Sequence, residues 1–229
     1  DFCKEYQDRI IPMAEVPMRD VDEAVMELKR VAELGMRGAF IPHAPVNGIG
    51  YGESYYDPFW SAAEEYSMVI TLHISVNPNY PGRHLYGHSG YVGPGFFKDM
   101  MYHADYIMSL SHMMCEGVFE KFPGLRINMV EDGSGWITHC LDKMDIEFEM
   151  NSLDMPLKMK PSEYFKRQIW ISVEPNETTV DATAKLVGSD RLLWGSDWPH
   201  MEGHADAVRK MKDNVANLSE NDQRKILGG

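Results

Sequence analysis

The chain has 229 residues, room for one sizeable domain, with 35 acidic against 22 basic side chains and a formal charge of −13. That balance gives nucleic acid and anionic membrane surfaces no electrostatic attraction, and no apolar run reaches the ~20 residues a spanning helix needs. Hydrophobic content of 44% and charged content of 25% belong to an ordinary globular protein rather than a disordered one.

Periodicity alternates short apolar runs with amphipathic stretches. Ile10–Glu15 reads as a strand, and Asp20–Leu34 as a helix that opens on an Asp cap and closes at Gly35. Gly38–Pro42 is the next strand, followed by a Gly/Tyr-rich loop and a helix over Pro58–Ser67; Met68–His73 is the third strand. Residues 77–95 form a long Gly/Pro/His-rich insertion, of the kind that covers active sites. A helical region broken in two spans Phe96–Lys121. Leu125–Val130, Gln168–Val173 and Arg191–Ser196 are strands, separated by helices over Gly135–Asn151 and Thr178–Val187, and the end from His204 to Ile226 is polar and helical. About six strand–helix units with continuous apolar strands describe a parallel sheet covered on both faces, either doubly wound or a barrel.

In such folds ligands sit at the carboxyl ends of the strands. Here the successive ends are Glu15, His43, His73, Glu131, Glu174 and Asp197, so each strand carries an imidazole or carboxylate to one rim. Carboxylates and imidazoles converging there repel or desolvate one another unless a cation sits among them. Imidazole and carboxylate without thiolate suit Zn²⁺ first, with Mn²⁺ or iron as options, and such an ion can activate water or polarise a substrate oxygen. No nucleophile elbow, dinucleotide fingerprint or P-loop occurs in the chain. Cys3, Cys115 and Cys140 are odd in number and widely spaced, without a C-x-x-C pair, so a reduced, cytoplasmic setting is expected. The 17 methionines read as adaptable core filler.

The run Leu193-Trp194-Gly195-Ser196-Asp197-Trp198-Pro199-His200 resembles the amidohydrolase-2 family, the metal-dependent TIM-barrel group that includes aminocarboxymuconate-semialdehyde decarboxylase and aromatic-acid decarboxylases. Tyr56-Asp57-Pro58-Phe59-Trp60, the segment Gly117–Leu125, and Glu131-Asp132-Gly133-Ser134-Gly135-Trp136 agree in the same order. The resemblance implies a (β/α)₈ barrel over 1–229, with these strands as its third to eighth. It makes His73 and Asp197 metal ligands, with Asp197 also able to move a proton. Glu131 stands where many members carry a histidine, and is taken as a second catalytic group. The family's further ligands come from an H-x-H, and none of the 9 histidines here lies two residues from another. Together with an opening that has neither Met nor a signal pattern, this leads to the expectation of a piece of a longer product.

His43, Glu174, Arg83 and Trp198 are expected to meet substrate, whereas His103, His112 and His200 are expected to be internally satisfied. The leading function is hydrolysis of a small organic compound by metal-activated water, placed first because Glu131 replaces the family histidine. Non-oxidative decarboxylation of an aromatic or muconate-type acid is the alternative, and an inactive fragment that only binds a ligand or partner is the alternative of another class. The expected partner is a small-molecule substrate, with further copies of the chain as an option.

Overall fold

A computed structural model describes residues 3–6, 8–75, 96–200, 203 and 205–228. Among the described residues, six strands form a single sheet in the order β1-β2-β3-β4-β5-β6, every neighbouring pair parallel. They are β1 Met13–Glu15, β2 Gly38–Pro42, β3 Val69–His73, β4 Arg126–Met129, β5 Ile169–Val173 and β6 Leu192–Trp194. A doubly wound sheet reverses its order at a switch point. This one runs sequentially without reversal, which decides for the order of a (β/α) barrel. Among the described residues, no helix is long and apolar enough to cross a membrane.

The connecting helices are α1 Val21–Glu33, α2 Asp57–Glu65, α3 Phe96–Cys115, α4 Val118–Lys121, α5 Gly135–Asn151, α6 Pro161–Gln168, α7 Val180–Val187, α8 Ala207–Asn214 and α9 Glu220–Leu227. Helix α1 starts where the sequence places its cap: Asp20 Oδ1 accepts from the N–H groups of Asp22 and Glu23 at 2.9 and 3.0 Å. Its stripe of Val21, Ala24, Leu28 and Val31 is buried. Helix α2 buries Phe59 and Trp60, and the indole N–H of Trp60 donates to the Tyr51 carbonyl at 3.0 Å.

Three expectations need correction. Strand β1 begins at Met13 because Ile10–Pro12 has no partner strand beside it and Ile11 is exposed. Strand β6 is confined to Leu192–Trp194, since Ser189–Arg191 closes a 3₁₀ turn before it and the chain leaves the ladder after it. Helix α6 falls in a stretch with no element assigned; Pro161 opens it, and Glu163 reaches back to accept the Lys160 N–H at 2.9 Å.

The strands are also less uniform than their apolar runs imply. Ala39, Ile41, Ile70, Leu72, Ile127, Met129, Ile169, Ile171 and Val173 are buried, while Phe40, Asn128, Trp170 and Ser172 alternate with them and are only half-buried. Alternation puts these residues on the opposite face of the sheet from the buried set. By the same alternation His73 and Glu174 fall on that second face, whereas His43 follows the buried set.

Candidate active site

In-register pairing brings the strand ends level: Pro42 lies beside His73, Leu72 beside Met129, and Val173 beside Trp194. His73, the last residue of β3, donates from Nδ1 to the Ile74 carbonyl at 2.8 Å and turns Nε2 toward Glu131 Oε1 at 3.3 Å. Glu131 holds the His73 pKa above its ordinary value, and the contact with His73 in turn holds the Glu131 carboxyl below its own, with an Asp197 hydrogen bond adding to that. Asp197 Oδ2 also meets His200 Nδ1 at 3.1 Å. The line His200–Asp197–Glu131–His73 is therefore continuous across the ends of β3, β4 and β6.

Glu131 and Asp197 both occupy the left-handed region, at φ 63° and 51°. Non-glycine residues held there carry strain of order 1–3 kcal/mol each, persisting only where the surroundings enforce it. Around Asp197 the enforcement is a tight turn: the His200 N–H donates to the Asp197 carbonyl at 2.8 Å, and a Cβ on Gly203 would collide with that same oxygen. The loop that follows Glu131 is held by Glu177, which sequence reading missed. The Glu177 carboxylate accepts the Ser134 N–H on both oxygens at 3.0 Å, the Ser134 hydroxyl at 2.8 Å and the Glu174 N–H at 3.3 Å, with the Thr179 hydroxyl also against it. It sits at the amino end of α5, where helix N–H groups and the dipole favour an anion, and joins the loops after β4 and β5. Replacing Glu177 by Ala strands the buried Ser134 N–H, so a loss of about 1–3 kcal/mol is expected. Thermal unfolding should show it, with Glu177→Gln falling between.

Helix α3 lies over the same rim. The Tyr106 hydroxyl proton sits between the Leu72 and Val130 carbonyls, at 2.8 and 2.7 Å, and Ser109 Oγ donates to the His43 carbonyl at 2.7 Å. Burial pushes the Tyr106 phenol well above its ordinary pKa, so it stays a donor. His43 is fully buried: Nδ1 accepts the Ser75 N–H at 3.2 Å and Nε2 faces Asp105 at 3.4 Å. Its contacts are internal, where a substrate contact was expected. His103 is set against Asp132, and His112 Nδ1 accepts the Gly52 N–H at 3.2 Å. Glu174 is exposed at the end of β5, and Trp198 is exposed to 67%. Arg83 and the 77–95 insertion lie outside the described residues. A cleft of about 340 Å³ opens between α3 and the loop after β2, lined by Ala44, Pro45, Tyr51, Asp105, Met108 and His112. No member of the His73–Asp197 line lines it.

Residues 1–229 match the amidohydrolase family over their whole length. The chain belongs to the amidohydrolase family. This amidohydrolase is 31% identical over 241 residues to the gamma-resorcylate decarboxylase of Rhodococcus jostii strain RHA1, covering 98% of the chain and 70% of that protein. It is similar to the 2,6-dihydroxybenzoate decarboxylase from Rhizobium at TM-score 0.80 and 26% identity, covering 98% of this chain and 70% of that one. The dihydroxybenzoic acid decarboxylase from Polaromonas sp. JS666, solved with manganese and 2-nitroresorcinol, has the same fold at TM-score 0.80 and 24% identity, over 98% and 68% of the two chains. The amidohydrolase chain spans 62 to 70% of the length of the curated relatives it matches.

The donors decide which residues could hold a metal. His73 Nε2 becomes a lone pair once its proton leaves, with Nδ1–H anchored on a backbone carbonyl as imidazole ligands usually are. Asp197 offers a carboxylate. Both suit a borderline divalent ion, but among the described residues no group of three or more His, Cys, Asp and Glu is arranged to hold one. These two donors fit a divalent ion as part of a set. Because Glu131 raises the proton affinity of His73, metal has to displace that proton. Zn²⁺ affinity should therefore climb with pH until His73 is deprotonated, by about tenfold per unit for one released proton. Titration of a fluorescent zinc competitor at several pH values checks this, and Glu131→Gln should move the plateau to lower pH.

Proposed function

We propose that this site catalyses the metal-dependent, non-oxidative decarboxylation of a ring-hydroxylated aromatic acid. The observation that carries the proposal is the meeting of His73, Glu131 and Asp197 at one rim, in a chain 31% identical to a gamma-resorcylate decarboxylase. The relatives favour this reading over the hydrolytic one, which Glu131 alone places first, and over a binding-only fragment.

A divalent cation, Mn²⁺ as in the Polaromonas protein or Zn²⁺, would draw electron density from a substrate oxygen. His73 and Asp197 would hold it. Glu131 remains a carboxylate at neutral pH, so a substrate carboxylate placed near it meets a like charge that disappears when neutral CO₂ leaves. The bond from ring carbon to carboxyl carbon breaks, its electron pair stays on the ring, and a proton must arrive at that carbon.

The test is a panel of acids with the Mn²⁺- or Zn²⁺-loaded protein. Release of CO₂ from 2,6-dihydroxybenzoate or a related hydroxybenzoate supports the reading. Cleavage of an ester, amide or lactone with no CO₂ from any aromatic acid would overturn it in favour of hydrolysis.

A further inference from the structure

With Nδ1 against a backbone carbonyl, His73 has Nε2 to offer a cation, and two neighbours compete over which nitrogen carries the ring proton. Glu131 Oε1, 3.3 Å from Nε2, favours a proton there and so occupies the lone pair a cation needs. The Ile74 carbonyl, 2.8 Å from Nδ1, favours a proton on that side and leaves Nε2 open. The second pull is only as firm as the Ile74–Ser75 peptide group that exerts it. That peptide is gripped from its other end. Its N–H and C=O point in opposite directions from one rigid plane, and the Ser75 N–H donates to His43 Nδ1 at 3.2 Å. An accepting Nδ1 leaves the proton of a neutral His43 on Nε2, the nitrogen that faces Asp105 Oδ2 at 3.4 Å.

The His43 ring has little freedom to move. Its backbone N–H donates to the His73 carbonyl at 2.9 Å and its own carbonyl accepts from Ser109 Oγ at 2.7 Å. Its ring packs against Tyr102 and Tyr106, with centroids 5.4 and 5.0 Å away. The side chain is fully buried and that of Asp105 is 2% exposed. Phe40 packs on the His73 ring at 5.5 Å between centroids, which restricts its rotation but favours neither nitrogen.

We infer that His43 is a positioning residue for His73: it fixes the Ile74–Ser75 peptide so that the His73 proton stays on Nδ1 and Nε2 meets the rim as a lone pair. The inference rests on the proposed metal site, in which His73 is a ligand. No proton is passed along the chain Asp105–His43–peptide–His73. Every donor in it points toward Asp105, so each contact polarises the next in one direction, and the imidazole at the far end becomes the stronger metal ligand.

The test uses the full chain with ¹⁵N-labelled histidines. Without metal, on the high-pH plateau where His73 is neutral, the ring ¹⁵N shifts should place the His73 proton on Nδ1 and the His43 proton on Nε2. His43→Leu fills the buried site and removes the acceptor. His73 should then carry its proton on Nε2, facing Glu131, and Zn²⁺ affinity read with the fluorescent competitor should fall by about 10- to 100-fold. His43→Asn puts an amide oxygen close to the place of Nδ1, and should restore the Nδ1–H form and most of the affinity. If His43→Leu fails to fold, Ser75→Pro removes the N–H from the other partner and should give the same change of tautomer. A purely structural His43 would lower the melting temperature of His43→Leu and leave the His73 tautomer and zinc affinity of the folded protein unchanged. Two results would overturn the inference: a wild-type His73 with its proton on Nε2, or a His43→Leu or Ser75→Pro protein that matches wild type in both tautomer and zinc affinity. Wild-type protein that binds no Zn²⁺ while His73 keeps its proton on Nδ1 would instead sink the metal-site reading and leave the positioning by His43 standing.

Discussion

Asp197→Asn is expected to lower turnover by about 10³-fold or more, the several kcal/mol that a metal-polarised oxygen contributes, and to lose bound metal with it. The fold should survive. Asn is nearly isosteric with Asp and is among the few residues that accept a left-handed backbone, so φ 51° is tolerated. Its amide oxygen can still meet His200 Nδ1, now 3.1 Å from Asp197 Oδ2. The negative charge is what disappears. Asp197→Ala would combine that loss with backbone strain, which makes Asn the cleaner variant. His73→Ala should match it in activity and metal content, with a small stability change because the side chain is 39% exposed. Metal analysis by mass spectrometry, CO₂ release and a melting curve on the same preparations decide the matter. Full activity in either variant would remove the proposed metal site.

Trp60→Ala should be among the largest single losses of stability in the chain. The indole is fully buried, packs edge-on against Tyr51 and Phe59 at 5.9 and 5.1 Å, and donates to the Tyr51 carbonyl. Truncation of a buried Trp costs about 3–5 kcal/mol, which for a domain of this size lowers the melting temperature by roughly 10 °C. The damage should extend beyond the cavity. Tyr51 packs edge-on against the missing ring and also donates its hydroxyl to the Pro42 carbonyl at 2.7 Å, so the end of β2 and the adjoining His43 lose a brace. Trp60→Phe keeps most of the volume and should lose about half as much. A calorimetric scan of the three proteins tests both the size and the order.

The parallel strand–helix repeat and the gathering of ionisable residues at one rim are legible in the sequence, because both depend on local pattern. Parallel strands linked by helices present their carboxyl ends on one side, so the ionisable residues at the close of the apolar runs give six candidates, among which the family resemblance points to His73, Glu131 and Asp197. Side chains that cross the fold leave no such trace. Glu177 meets Ser134 across 43 positions, and Ser109 meets the His43 carbonyl across 66; neither spacing matches a motif. His43 shows the same limit from the other side, since its position at a strand end suggests a substrate contact and only packing by α3 shows it enclosed. Helix α6 has 8 residues, too few turns for its period to stand out. Its proline opening and back-reaching glutamate are visible in the sequence but do not by themselves distinguish a helix from a turn.

The seating of α3 also bears on how the molecule opens. One phenol proton and one serine hydroxyl tie this helix to the ends of β2, β3 and β4, and the Asp132 carboxylate meets a histidine of the same helix. Any fluctuation that lifts α3 breaks those ties together, exposing strand-end carbonyls and releasing Asp132 in one event. The helix and the strand ends it covers thus form one cooperative unit, and the carbonyls beside His73 and Glu131 are exposed only when that unit opens.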